Sequence, residues 1–186
     1  MTLRHYFMAK TAALALWAAL LLAVLPLGAR ADSPLKVVAT TGMIADAARQ
    51  VGGDRVEVTA LMGPGVDPHA YRQTRTDIVA MTRADLVLWH GLYLEAQMQE
   101  FFHDLGRKRV VIAVAEGLPR DLLRGHDDYQ DKFDPHVWMT PDLWKLVVAQ
   151  VQTALTDQRP ADAAMFAANA ERHLAELDRL SDYART

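Results

Sequence analysis

The stretch KVVATTGMIADAARQVGGDRVEVTALM, residues 36–62, decides the fold. Lys36–Thr40 is a short apolar run and reads as a strand. The period then changes. Met43, Ile44, Ala47 and Val51 fall on one face of a helix, which Gly52-Gly53 closes. Arg55–Met62 alternates and reads as a second strand. The same alternation continues down the chain. Gly63–Gln73 is a turn-rich loop, and Thr74 with Asp77 three residues on caps a helix carrying Ile78, Val79 and Met81. Asp85–Trp89 is a third strand, followed by a turn around Gly91 and a helix near Leu94–Leu105. Arg109–Val114 is a fourth strand, continuously apolar as in strands buried on both faces. After the polar stretch Glu116–Met139, Thr140 reads as an N-cap with Pro141 at the first helical position. Leu143, Trp144, Val147, Val148, Val151 and Leu155 form that helix's inner stripe.

Strands separated by helices predict an α/β fold: a four-stranded, mainly parallel sheet flanked by helices. The last segment differs. From Pro160 to Thr186, Phe166, Ala170, Leu174, Leu177, Leu180 and Ala184 keep helical spacing, a helix of about 40 Å. No Gly, Asn or Pro ends it.

The whole chain has 186 residues, 51% apolar and 23% charged, with net charge −3 and no cysteine. Such a balance belongs to a folded protein of one ordinary domain, neither disordered nor a basic nucleic-acid binder. Without cysteine there are no disulfides, zinc fingers, iron–sulfur clusters or thiol catalysis, so a metal site must use His, carboxylate or backbone oxygen. Residues 1–31 read as a signal peptide. Arg4 and Lys10 lead, Thr11–Leu27 is apolar, and Ala29-Arg30-Ala31 predicts cleavage after Ala31. A membrane anchor is the competing reading, which Pro26 and the A-x-A site disfavour. Twenty Lys and Arg less Arg4, Lys10 and Arg30 leave 17 basic against 23 acidic residues, a net −6 for the exported part. A bacterial periplasm is the expected location.

Two loops carry the same tripeptide: Asp67-Pro68-His69 after the second strand and Asp134-Pro135-His136 after the fourth. In a parallel sheet both leave on the same edge, where open α/β folds bind ligands. Neutral imidazole suits Zn²⁺, Mn²⁺ and Fe²⁺, and each Pro stiffens the loop before its His. His69 and His136 are therefore the candidate metal ligands, against the reading of each as an ordinary loop residue. Asp67 and Asp134 are read as turn-formers ahead of acceptors for imidazole N–H. The remaining histidines are weaker. His5 lies in the signal peptide, His103 and His173 on solvated helix faces, and His126 in an acidic, solvated loop. His90 ends a strand, packed or capping.

VVATTGMIADAARQVGGDRVEVTALMGPGVDPHAY, ADLVLWHGLYLE, AEGLPR and FDPHVWMTPDLW follow one another in order from Lys36, in a likeness that runs to about Tyr183. With them the chain resembles the periplasmic metal receptors of bacterial ABC importers for zinc and manganese, the class whose two lobes are joined by a rigid helix. The resemblance implies capture of a divalent cation, manganese or zinc, for delivery to an inner-membrane permease, and no enzyme activity. It implies that His69 and His136 are two of four ligands, the others being a His or Glu and an Asp of a second lobe. On this reading residues 32–158 are the amino-terminal lobe, residues 159–186 begin the interlobe helix, and the second lobe is absent. Self-association through the exposed interlobe surface and final helix is then expected. Arg72 and Gln73 depart from the family's loop after the first His. Only His126 stands where many zinc importers carry a His-rich insertion, and HGLYLE is closer to the manganese or iron branch. The competing functions are an adhesion or interaction module, a non-functional remnant, and a metal-dependent hydrolase, for which HExxH and G-x-S-x-G are both missing.

Overall fold

A computed structural model describes residues 33–127 and 129–185; the segment 1–31, read above as a signal peptide, lies outside the described residues. From Pro34 onward the chain forms one compact unit. Its sheet has strands β1 (Leu35–Ala39), β2 (Val56–Ala60), β3 (Leu86–Trp89) and β4 (Val110–Ala113), all parallel, in the order β2-β1-β3-β4. The helices are α1 (Gly42–Gly52), α2 (Arg75–Arg83), α3 (Gln99–Gly106), α4 (Pro141–Gln158) and α5 (Ala163–Ala184). Among the described residues no helix is long and apolar enough to cross a membrane.

The pleat divides the core in two. Val37 and Ala39 of β1 and Leu86 and Leu88 of β3 face α1, α4 and α5, where Ile44, Val147, Val151 and Phe166 close the layer. Val38 and Val87 face the other side, against Met81, Met98 and Phe102 of α2, α3 and the turn before α3. Both faces of the sheet are thus covered, as a parallel sheet requires. Local signals act as the sequence predicts at several ends. Gly53 caps α1 with φ 55° and donates its N–H to Arg49. Thr74 and Asp77 form a reciprocal capping box at α2, and Asp77 also accepts from the Tyr71 hydroxyl at 2.7 Å.

Four expectations need correction. β4 is only partly buried, with Val110 exposed and Val111 to Ala113 half-covered, and among the described residues it is an edge strand paired with β3. The helix near Leu94–Leu105 is a 3₁₀ turn, Ala96–Met98, followed by the short α3. Thr140 occupies the cap position of α4 but makes no side-chain cap; its backbone carbonyl accepts the Trp144 N–H. Finally, α5 starts after a 3₁₀ turn at Pro160–Asp162, so the helix is about 33 Å long.

The stripe of α5 is not left open along its length. Phe166 and Ala170 are buried against α1 and α4, and Leu174 and Leu177 are partly covered; only Leu180 and Ala184 are exposed. Polar contacts fix the same end. The Asn169 Nδ2 donates to the Val51 carbonyl at 2.9 Å, and Arg55 pairs with Asp162 at 2.9 Å. Phe166→Ala should therefore cost about 3–5 kcal/mol in urea unfolding. A near-zero change would mean that α5 does not belong to this core.

Candidate metal centre

The chain leaves the central strands β1 and β3 toward opposite sides of the sheet, β2 lying beyond β1 and β4 beyond β3. At such a reversal the crevice outside the carboxyl ends is open to a ligand. Its floor is Thr40, just past β1, and His90, just past β3, both fully buried. Glu95, equally buried, joins them. Its carboxylate accepts the Thr40 hydroxyl at 2.6 Å, the His90 backbone N–H at 2.8 Å and the Gly91 N–H at 3.2 Å. Burial pushes the Glu95 carboxyl upward, and those donors oppose it.

The turn that returns Glu95 to the strand ends is strained. Gly91, Leu92 and Tyr93 have φ of 84°, 51° and 67°, and each non-glycine residue there costs about 1–3 kcal/mol. A Cβ at Gly91 would stand 2.7 Å from the Glu116 Cγ. Glu116 also accepts the Leu92 N–H at 2.8 Å, which helps to hold the turn.

The two DPH loops meet above this floor. They leave opposite edge strands, β2 and β4, which three strand spacings separate by about 14 Å. Running in the same direction does not alone bring them together; Pro135 is held at His90, just past the central strand β3. Each loop folds on its own Asp. The His69 N–H donates to Asp67 Oδ1 and the His136 N–H to Asp134 Oδ1, both at 2.9 Å. Asp67 thus forms a turn. Asp134 forms a turn and also accepts from the His136 ring, Nδ1 to Oδ1 at 2.6 Å. That bond leaves the His136 Nε2 as a lone pair. Burial pushes the Asp134 carboxyl up, but the His136 backbone and ring N–H groups outweigh it and hold the carboxyl below its usual range.

The Nε2 atoms of His69 and His136 lie 3.4 Å apart, with ring centroids 5.4 Å apart and planes tilted by 47°. Two nitrogens bound to one tetrahedral metal at 2.0–2.1 Å are separated by about 3.3–3.4 Å. Both rings are exposed, and His136 and Asp134 line an open groove of about 620 Å³ with Leu122, Met139 and Leu143. Among the described residues no group of three or more His, Asp or Glu is disposed to hold a metal, so the pair stands alone.

The other histidines lie elsewhere. His103 sits beside Arg107 on α3, and His126 packs on Tyr129. His173, expected to be solvated, is largely covered on α5 beside Glu176. His5 lies outside the described residues. His90 is packed, and its ring Nε2 donates to the Pro135 carbonyl at 2.7 Å while the ring stands perpendicular to Trp138. Burial pushes its ring down to about 4, so it is neutral. Thr40, His90 and Glu95 are the site residues that sequence reasoning missed. The signal was a polar residue set directly after an apolar strand, followed by Gly and then Glu, in WHGLYLE.

Residues 37–186 match the family described as zinc-uptake complex component A, periplasmic. The manganese-binding lipoprotein MntA of Bacillus subtilis is 39% identical over 158 residues, covering 85% of this chain and 51% of MntA. The iron-binding protein YfeA of Yersinia pestis is 31% identical over 145 residues, 78% of this chain and 46% of YfeA. The structure of the periplasmic zinc-binding protein TroA of Treponema pallidum superposes with a TM-score of 0.78 at 38% identity, over 82% of this chain and 54% of TroA. The chain spans about half the length of the curated relatives it matches.

Glu95→Leu removes the partner of three buried donors, each of which then costs about 1–3 kcal/mol. Urea unfolding should show a loss of about 3 kcal/mol or more. Glu95→Gln keeps an acceptor oxygen and should lose clearly less.

Proposed function

The chain belongs to the family of the periplasmic zinc-uptake complex component A, and from that premise we propose that it is the metal-capturing, amino-terminal part of an ABC importer's receptor, with His69 and His136 as cation ligands. The observation that carries the reading is the 3.4 Å between the two Nε2 atoms, the edge length of a tetrahedral donor set. Asp134 supports it by fixing the tautomer and orientation of His136, as outer carboxylates do for metal-bound imidazoles. The cation is cargo, divalent and of the first transition row; relatives are named for manganese, zinc and iron.

Residues 32–158 serve as the ligand-bearing lobe and residues 159–186 as the start of a connecting helix. The remaining ligands come from outside this pair. Leu122 and Met139, 52% and 75% exposed, rim the groove beside His136 and suit a surface that another lobe covers. A membrane permease receives the cation from the complete receptor. A hydrolase needs a positioned water and a general base beyond the pair, and nothing at the crevice favours that reading.

Two imidazoles supply half a shell, so this chain alone should bind weakly and follow the Irving–Williams order, Ni²⁺ well above Mn²⁺. Calorimetry should show Ni²⁺ affinity falling about 10-fold or more in His69→Ala and in His136→Ala. Wild-type Ni²⁺ affinity in both variants would end the proposal.

Export to the periplasm on this reading entails cleavage after Ala31, and the uncovered groove rim offers a contact between copies. Native mass spectrometry of the exported chain should give a polypeptide beginning at Asp32, with multimers above the monomer. An uncleaved chain would overturn the first part, and a strictly monomeric one the second.

A further inference from the structure

Resting on the metal-capture reading and deepening it, we propose that His90 is a positioning residue for the cation: its ring N–H holds the Pro135 carbonyl and so fixes the backbone from which His136 reaches the metal. The ring is fully buried and its Nε2 stands 2.7 Å from that carbonyl. Proline has no N–H, so the segment at Pro135 is tied down through its carbonyl. That oxygen also accepts the Val137 N–H at 2.8 Å, which makes it the point where the turn around His136 closes.

The rest of His90 is arranged for this one bond. Its backbone N–H is held by Glu95, and its ring packs perpendicular to Trp138, which also meets the His136 ring at 5.1 Å. Its second nitrogen, Nδ1, is buried and has no hydrogen-bond partner among the described residues. A residue serving only to fill the space would be apolar, since Phe or Leu would strand no nitrogen. Burying an imidazole at that disadvantage is accounted for by the donor it aims at Pro135. The His69 loop has a different build. Its Asx turn and its Gly63–Val66 turn are both exposed. The His69 arm is tied two residues on, where the Tyr71 hydroxyl donates to Asp77 of α2, whereas the His136 arm is held at the carbonyl directly before its ligand.

The test uses Ni²⁺ as the probe and the whole chain, as wild type and as His90→Phe, His90→Gln and His136→Ala. His90→Phe keeps a buried ring and loses the donor; calorimetry should show Ni²⁺ binding about 10-fold weaker, with thermal stability unchanged or raised. His90→Gln returns an N–H at nearly the same reach and should stay within about 3-fold of wild type. Wild-type affinity in His90→Phe, with binding lost in His136→Ala, overturns the positioning role and leaves the metal site standing. Equal losses in His90→Phe and His90→Gln, both with lowered stability, overturn it in favour of packing. Undiminished binding in His136→Ala overturns the site on which the inference rests. Should His90→Phe fail to fold, a long-range ¹H–¹⁵N spectrum of the wild type decides: a protonated Nε2 with bare Nδ1 on His90 is required, and the opposite tautomer refutes the proposal.

Discussion

Glu95 reaches back from the turn after β3 and accepts hydrogen bonds from the Thr40 hydroxyl and the backbone N–H groups of His90 and Gly91. A side chain thereby joins the two central strands beyond the last rung of their own ladder. A carboxyl group this deep is tolerated only with its oxygens fully engaged. Meeting that condition is what holds the left-handed run Gly91–Tyr93 in place. The strain of the turn and the satisfaction of the buried acid are one arrangement. Together they fix where His90 sits, and the crevice acquires a rigid floor.

On that floor the two ligand arms are supported unequally. His136 has its ring tied to Asp134 and its preceding carbonyl tied to His90. His69 is set by the Asx turn with Asp67 on an exposed loop. Fixing the carbonyl next to His136 lowers the ordering cost of the first metal bond. The pair at 3.4 Å is compatible with several first-row cations, in keeping with relatives named for different metals.

Periodicity in the sequence was sufficient to read the order of elements, because each strand and helix buries a face and a buried face leaves a periodic trace. It was not sufficient to read edges. Val110–Ala113 is as apolar as a central strand because Val111 packs on one side and Ile112 on the other, while its outer backbone edge is unpaired by any strand. Hydropathy reports which faces are covered and is blind to which hydrogen-bonding edge is free. The histidine pair was legible from its repeated tripeptide. Its convergence depended on strand order, which places the two loops on opposite edge strands and requires a long return segment between them. Thr40, His90 and Glu95 left only a faint trace, since a buried polar network is defined by distances between residues up to 55 positions apart.

The position of His136 between two buried neighbours links the crevice to the core. Pro135 is held by His90, and Val137 belongs to the same apolar cluster as Val147, Val151 and Phe166. That cluster includes the first turns of α5, so the start of the helix and the His136 arm share one core. Farther along, α5 meets α4 through Lys145 with Asp178 and Arg185 with Asp142, exposed pairs that contribute little and weaken with salt. Stiffness therefore resides at the Phe166 end. Loosening the core at Phe166 would act on the His136 arm through Val137, whereas the His69 arm, set on an exposed loop, would feel it far less.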